Sequence, residues 1–429
     1  MARGKRRPAS QEPAPAPGGA SLPTVSHRML GTEAIDGLRG LAIVLVLAYH
    51  TWLLSWFSPV LQFAGQTVPV DAFYRCGYLG VDLFFVISGF CMFYPEARNL
   101  LEGAPALSWR QFAYRRFIKI VPSYVVALAV TALVVLPSLH GAQNLIGPLA
   151  NHLFFFNNSY EDAFGQHNSV LWSLAVEVQF YLIFPLLALV FRRHPLLVSV
   201  AMVGAALTFR FATAGCCLLY EPVSRQLPAY LDLFACGMLA AYGFVWLRRR
   251  TSASAPGRLG FTLCALGASV AAFLLFQSAN AVQYHHAGRQ LWDLAGRTAL
   301  AMAFGAMALT LPLSQCWLRR LVGNPVLVFL SVLSYNLYLW HTLVEIWLRN
   351  HDVVHSATSD PHNDPVWRPV FAALGIAASL VVAALLTYFI ERPLLGTVRR
   401  QPFAFDWRRF IPRLSGVRAA PIARKDRRT

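Results

Sequence analysis

Charge is what this chain has least of. Asp, Glu, Lys and Arg make up only 13% of its 429 residues, and just 20 residues are acidic. A soluble protein of this size cannot cover its surface with so few charges. Hydrophobic residues supply 56% of the chain and mean hydropathy is +0.47, which points to a polytopic membrane protein. The cysteines also lack something: Cys76, Cys91, Cys216, Cys217, Cys236, Cys264 and Cys316 show no paired metal-ligand spacing. Most lie in apolar runs, where a free Cys packs as a small apolar residue, so no resident metal is expected. No apolar run with a cleavage site opens the chain. Residues 1–33, rich in Pro, Ala, Gly and Arg, therefore read as a disordered cytoplasmic tail and not as a cleavable signal. No internal repeat of the kind many transporters carry is visible.

Long apolar runs are what the chain does have. Ten candidate spans lie near residues 34–56, 77–97, 120–138, 168–191, 195–217, 227–247, 259–277, 291–313, 325–348 and 366–390. The formal charge of +17 invites a nucleic-acid reading, but the distribution of the cations opposes it. Of 37 Lys and Arg, 29 fall in the two tails and four alternate loops, four in the loops of the other side, and four within spans (Arg39, Arg210, Arg297 and Arg368). The expected fold is an all-α polytopic membrane protein with both termini cytoplasmic, in the plasma (inner) membrane and in contact with its lipids. The divisions are a basic tail over 1–33, a transmembrane domain over 34–395, and a second basic cytoplasmic tail over 396–429. That last tail mixes Phe403, Phe405, Trp407 and Phe410 with arginines, as a membrane-surface segment does. The stretch Leu149–Phe156 is too short to span and reads as re-entrant or interfacial.

Arg39 and His50 stand eleven residues apart on the first span, close to three helical turns, so both point the same way about 16 Å apart. Asp82, Glu177, Arg210, Asp232 and His341 reach a depth similar to that of His50, each on a different span. Each would cost a few kcal/mol facing lipid, so a shared polar cavity is expected. Helical spacing aligns Ser173, Glu177 and Tyr181 on one face, and Ser334, Tyr338, His341 and Glu345 on another. At the opposite end, Trp109–Lys119 reads as a basic loop. Topology alone accounts for part of its charge; the other reading is a phosphate-binding rim formed with Arg39. Glu391-Arg392-Pro393 reads as a structural ion pair closing the bundle.

An ordered series of motifs then resembles the acyltransferase-3 family of membrane acyltransferases. It runs from Asp36-Gly37-Leu38-Arg39-Gly40 with His50, through Gly80-Val81-Asp82-Leu83-Phe84-Phe85-Val86-Ile87-Ser88-Gly89-Phe90, to Tyr114-Arg115-Arg116 with Pro122-Ser123-Tyr124. Leu171-Trp172-Ser173-Leu174 with Glu177 and Phe180-Tyr181 follows, then Tyr230-Leu231-Asp232-Leu233-Phe234, Leu333–His341 and Glu391-Arg392-Pro393. The resemblance covers roughly residues 32–395. It implies transfer of an acyl group, often acetyl, from a cytoplasmic acyl-CoA to a hydroxyl of a glycan, lipid-linked saccharide or small natural product. It also implies that Arg39 and His50 are needed for activity. Lys119 departs from the family's usual Arg. The hydrolase-like extension of some members is absent, so the chain is expected to act alone or with a separate partner.

The expected chemistry follows. Acyl-CoA, the only cofactor-like molecule implied, docks its phosphates near Arg115, Arg116 and Lys119 with Arg39 at the entrance, and no group is bound permanently. His50 serves as general base because imidazole titrates near neutrality. Glu177 orients it, or His341 acts as a second proton carrier. Direct transfer and an acyl-enzyme both stay open. The rival reading is a proton-coupled exporter that uses the same buried His and carboxylates as a relay.

Overall fold

The structure, a computed structural model, describes residues 32–63, 65–68, 70–135, 146–159, 168–214, 221–250, 255–283 and 286–400. The tail readings for 1–31 and 401–429, and Cys216 and Cys217, lie outside the described residues. Among these residues, ten helices are long and apolar enough to cross a membrane. Their main segments, numbered here as α1 to α10, are Thr32–Ser55, Gly80–Glu102, Trp109–Val135, Leu171–Arg193, Pro195–Ala214, Leu231–Arg250, Ala255–Val282, Arg297–Thr310, Pro325–Asn350 and Trp367–Leu386. Arg297–Thr310 alone is too short to span; its span runs over Gly288–Leu313 and includes a π turn at Trp292–Gly296. A bilayer admits such helices because each satisfies its own backbone hydrogen bonds. Among the described residues, the one departure from all-α is a small antiparallel hairpin after α1, with Leu61 opposite Val68 and Phe63 opposite Gln66. Ile146–Leu153 forms a short helix, too short to span, within the longest connection.

The span readings need one correction. The basic segment Trp109–Lys119 is not a loop: it is the first three turns of α3, which starts eleven residues before the expected boundary of 120. Hydropathy marks the apolar part of a helix and not its end, and Arg, Gln and Lys are all good helix formers. Charged residues therefore ended the apolar run without ending the helix.

Packing is most extensive between α2 and α6 and between α1 and α9, with α10 laid along α9. Both contacts depend on absent side chains. A Cβ on Gly40 would stand 2.1 Å from the carbonyl oxygen of Leu327, so the Arg39 turn of α1 lies directly against the start of α9. On Gly237 it would stand 2.0 Å from the carbonyl oxygen of Val86, which brings α6 equally close to α2. The start of α9 is fixed by Asn324, whose Oδ1 accepts from the amides of Val326 and Leu327 at 3.0 Å, with Pro325 in the first turn. Asp364 does the same for α10, accepting from Val366 N at 2.9 Å and Trp367 N at 3.0 Å. Spans α5 and α7 are the least covered, and Leu196, Leu197 and Val200 of α5 present an apolar face outward, as lipid contact requires.

Candidate active site

A cavity of about 190 Å³ lies between α1, α2, α3, α4 and α9. Arg39, Arg116 and Lys119 stand at one end of it. The Arg39 guanidinium donates to Cys91 Sγ at 3.4 Å and lies 3.8 Å from Asp36. Arg116 lies over the rings of Tyr181 at 5.0 Å and Phe112 at 5.5 Å, an arrangement that holds a guanidinium without consuming its hydrogen-bond donors. Lys119 pairs with Glu391, at the end of the π turn that follows α10, and sits 5.3 Å from the centre of the Tyr335 ring. Arg115, expected beside them, does not line the cavity; it occupies the exposed side of α3, because successive residues of a helix point about 100° apart.

The middle of the cavity carries Glu177. Its Oε1 accepts from Ser88 Oγ at 2.6 Å and from the Tyr181 hydroxyl, one turn away on α4. Farther along, Ser173 and Tyr338 meet hydroxyl to hydroxyl at 2.5 Å, and Tyr338 also donates to the carbonyl of Val170 at 3.1 Å. The two polar faces expected on α4 and α9 thus meet. Tyr338 is the lining residue that reaches toward the histidines, its ring 6.2 Å from that of His341.

His50 and His341 face each other with ring centres 4.8 Å apart and planes 70° from parallel. His50 Nδ1 lies 3.0 Å from the carbonyl of Val46, and His341 Nδ1 lies 2.9 Å from those of Leu337 and Tyr338. A carbonyl oxygen only accepts, so each Nδ1 carries the hydrogen and each Nε2 keeps its lone pair. His341 is fully buried, His50 partly so. The expected orienting contact from Glu177 to His50 is not made: the Val46 carbonyl holds the His50 ring, while Glu177 is engaged with Ser88 and Tyr181.

The single shared cavity expected for six ionisable groups also divides. Asp82 pairs with Arg297 at 2.9 Å, and Arg210 with Asp232 at 2.8 Å. Thr298 donates to Asp232 at 2.6 Å and accepts from Arg210 at 3.0 Å, and the carbonyl of Ala229 takes the Arg210 Nε at 2.9 Å. These charges neutralise one another in place among α2, α5, α6 and α8, away from the cavity. Sequence reading identified Arg297 as a charge within a span but not as the partner of Asp82. It also read Glu391 with its neighbour Arg392; instead Glu391 pairs with Lys119 and accepts from Asn336 at 2.9 Å, and Arg392 lies over the Tyr388 ring at 4.4 Å. Nothing local signals the Lys119 pairing, since 272 residues separate the two in sequence. Among the described residues, no group of three or more His, Cys, Asp or Glu is placed to hold a metal ion.

Comparison with known proteins places these motifs in context. The chain is 30% identical over 386 residues to the peptidoglycan O-acetyltransferase OatA of Listeria monocytogenes, covering 84% of this chain and 55% of that protein. It is 26% identical over 428 residues to the putative peptidoglycan O-acetyltransferase YrhL of Bacillus subtilis, covering 94% and 60%. A putative O-acetyltransferase of Staphylococcus aureus strain COL is 26% identical over 424 residues, covering 91% and 61%. The chain thus spans well under two thirds of the length of each of these curated relatives. No solved structure matches it. The family model described as Acyltransferase domain matches residues 32–388, most of the chain and the whole of α1 to α10. By that match, the chain belongs to the acyltransferase-3 family.

Proposed function

We propose that the chain is an integral-membrane O-acyltransferase that moves an acyl group, most simply acetyl, from acyl-CoA to a hydroxyl of a glycan. The observation that carries the reading is the cavity and its neighbour: cations line one end, and at the other the Tyr338 ring stands beside His341, which in turn faces His50 just outside the lining. The cationic end is cytoplasmic in this reading, consistent with the basic loops and tails of that side. The membrane is the plasma membrane, the bundle over 34–395 is the catalytic unit, and the two tails are basic cytoplasmic extensions. The O-acetyltransferases among its relatives support the acetyl donor and the glycan acceptor.

Arg39, Arg116 and Lys119 receive the donor's phosphates, and the pantetheine arm runs along the cavity toward Tyr338. His50 Nε2 takes the proton of the acceptor hydroxyl while its Nδ1 is held by Val46. The acceptor oxygen bonds to the acyl carbon, the C–S bond breaks, and the CoA thiolate leaves with a proton. Tyr338 and Ser173 stand near the path of the carbonyl oxygen, and a hydroxyl that turns its proton from the Val170 carbonyl toward that oxygen supplies the donor an oxyanion requires. Glu177 has a different role from the one expected: it orders Ser88 and Tyr181 in the cavity wall. An exporter would draw on the same buried groups, but no observation favours it over transfer.

Release of free CoA from acyl-CoA by the purified protein, with cell-wall glycan as acceptor, tests the reading. Turnover in the wild type and a loss of about 100-fold or more in His50→Ala, with membrane insertion intact, is the expected result. Wild-type rates in His50→Ala would overturn the assignment of the base.

A further inference from the structure

Between α1, α9 and α10 lies a buried polar set that the reaction above does not use. Glu345 is fully buried, and its Oε1 accepts from Thr51 Oγ1 at 2.6 Å, on the residue that follows His50. Its Oε2 meets no partner among the described residues. The same is true of His341 Nε2, one turn back along the same face of α9, and of the fully buried Ser379 Oγ on α10. The backbone of α10 closes over the carboxyl: a Cβ on Gly375 would stand 3.1 Å from Glu345 Cγ. Helices α9 and α10 run in opposite directions, so Ser379, one turn beyond Gly375, falls at the level of His341. Buried polar atoms are almost always partnered, and three left over at one place call for a chemical explanation and not a packing one.

Among the described residues, no ion pair reaches Glu345 or His341. From α1 the titratable group that faces this set is His50, and from α9 it is His341. Tyr49 stands 5.0 Å from the His50 ring, with Tyr78 5.4 Å behind it, and Tyr338 stands 6.2 Å from that of His341. Helix α10 brings neither acid nor base between Arg368 and Tyr388. The carboxyl oxygen and the imidazole nitrogen left without partners are complementary: a protonated Oε2 donates where a neutral Nε2 accepts.

We propose that Glu345 stores the proton of the transfer reaction, exchanging it with His341 and through His341 with His50. This deepens the proposed function and rests on His50 as its base. As the thioester C–S bond breaks, the Glu345 O–H proton passes along the two imidazoles to the leaving thiolate and forms its S–H bond. As the ester C–O bond forms, the acceptor O–H proton returns through His50 and His341 and restores the carboxyl. One proton leaves the set and one enters it, so a turnover leaves Glu345 unchanged. The store lets the thiolate take a proton before the acceptor hydroxyl has given one up, without a lasting imidazolium in the membrane.

The test is the pH dependence of CoA release by the full chain in detergent, with acetyl-CoA and a soluble peptidoglycan fragment as probes. Glu345→Gln keeps the volume and the acceptor for Thr51 but holds no acid proton. It is expected to lower kcat about 100-fold with KM for acetyl-CoA within about twofold, and to abolish the alkaline limb of the rate profile. Glu345→Asp, which retains an acid, is expected to keep that limb at a reduced rate; it also serves if the Gln variant is not recovered as a monodisperse protein. Wild-type kcat in Glu345→Gln, or a Glu345→Asp profile without the limb, overturns the proposal. His50→Ala is run in parallel: if it turns over normally, the reading of the base fails. If it is inactive while Glu345→Gln is unaffected, only the proton store fails.

Discussion

Two regions of the bundle use buried polar residues in opposite ways. Among α2, α5, α6 and α8, Asp82, Arg297, Arg210 and Asp232 form a closed set in which every charge meets an opposite charge or a donor. Among α1, α9 and α10, His50, His341 and Glu345 form an open set, with lone pairs and a carboxyl oxygen that no described residue engages. Both lie where lipid would penalise them, so burial alone does not separate structure from chemistry. What separates them is whether the groups have spent their bonding capacity on each other. The closed set holds helices together, whereas the open set retains atoms that can still exchange a proton.

Breaking the closed set should give the larger effect on stability. Arg210→Met leaves Asp232 buried without its cation, with an expected loss of about 3–5 kcal/mol. Thermal unfolding followed by size-exclusion in detergent would register it as a large drop in Tm. Adding Asp232→Leu should return most of the loss, because a matched apolar pair has no charge to strand; no recovery would mean that the pair does more than neutralise itself. A smaller, functional effect is expected at the cationic end. Arg116→Gln should raise KM for acetyl-CoA about tenfold, equivalent to about 1.4 kcal/mol, with kcat little changed. An equal fall in kcat would move Arg116 from donor binding into the reaction itself.

The smallest effect lies outside the membrane, at the cap of α10. Backbone amides of Ala357, Trp367 and Val366 donate to Asp364 and hold its carboxyl below the usual range. A depressed carboxylate contributes stability above its ordinary value, about 4, and loses it as pH falls through its lowered folded value. Hydrogen exchange in residues 351–366 should therefore be insensitive to pH-driven uncapping near neutrality and rise only below about pH 4. A rise already near pH 6 would overturn the assignment of the loop's stability to Asp364.

Much of this arrangement was legible in the chain. Residue count along α1 put Arg39 and His50 on one side, and helical spacing put Tyr338, His341 and Glu345 on one face of α9. Equal depth drew six ionisable groups into one cavity, and the structure divides them, because depth does not reveal which neighbours neutralise each other. Periodicity gives the direction a residue faces and not what it meets. For that reason Lys119 with Glu391 and Thr51 with Glu345, 294 residues apart, were beyond reach. The start of α3 was missed for another reason: hydropathy measures affinity for lipid, and a helix extends beyond the stretch that has that affinity.

The contact of α1 with α9 has a consequence for what such a cavity accepts. The two helices touch backbone to backbone at Gly40 and Leu327, and side chain to side chain at His50 with His341 and Thr51 with Glu345. Clamped at both ends, the pair acts as a gauge of fixed span between Arg39 and His50. On the proposed reading, a donor is selected by length as much as by charge. A thioester carrier with a shorter arm would be anchored by its phosphates and still fall short of the imidazoles, while a longer one would have to fold back on itself.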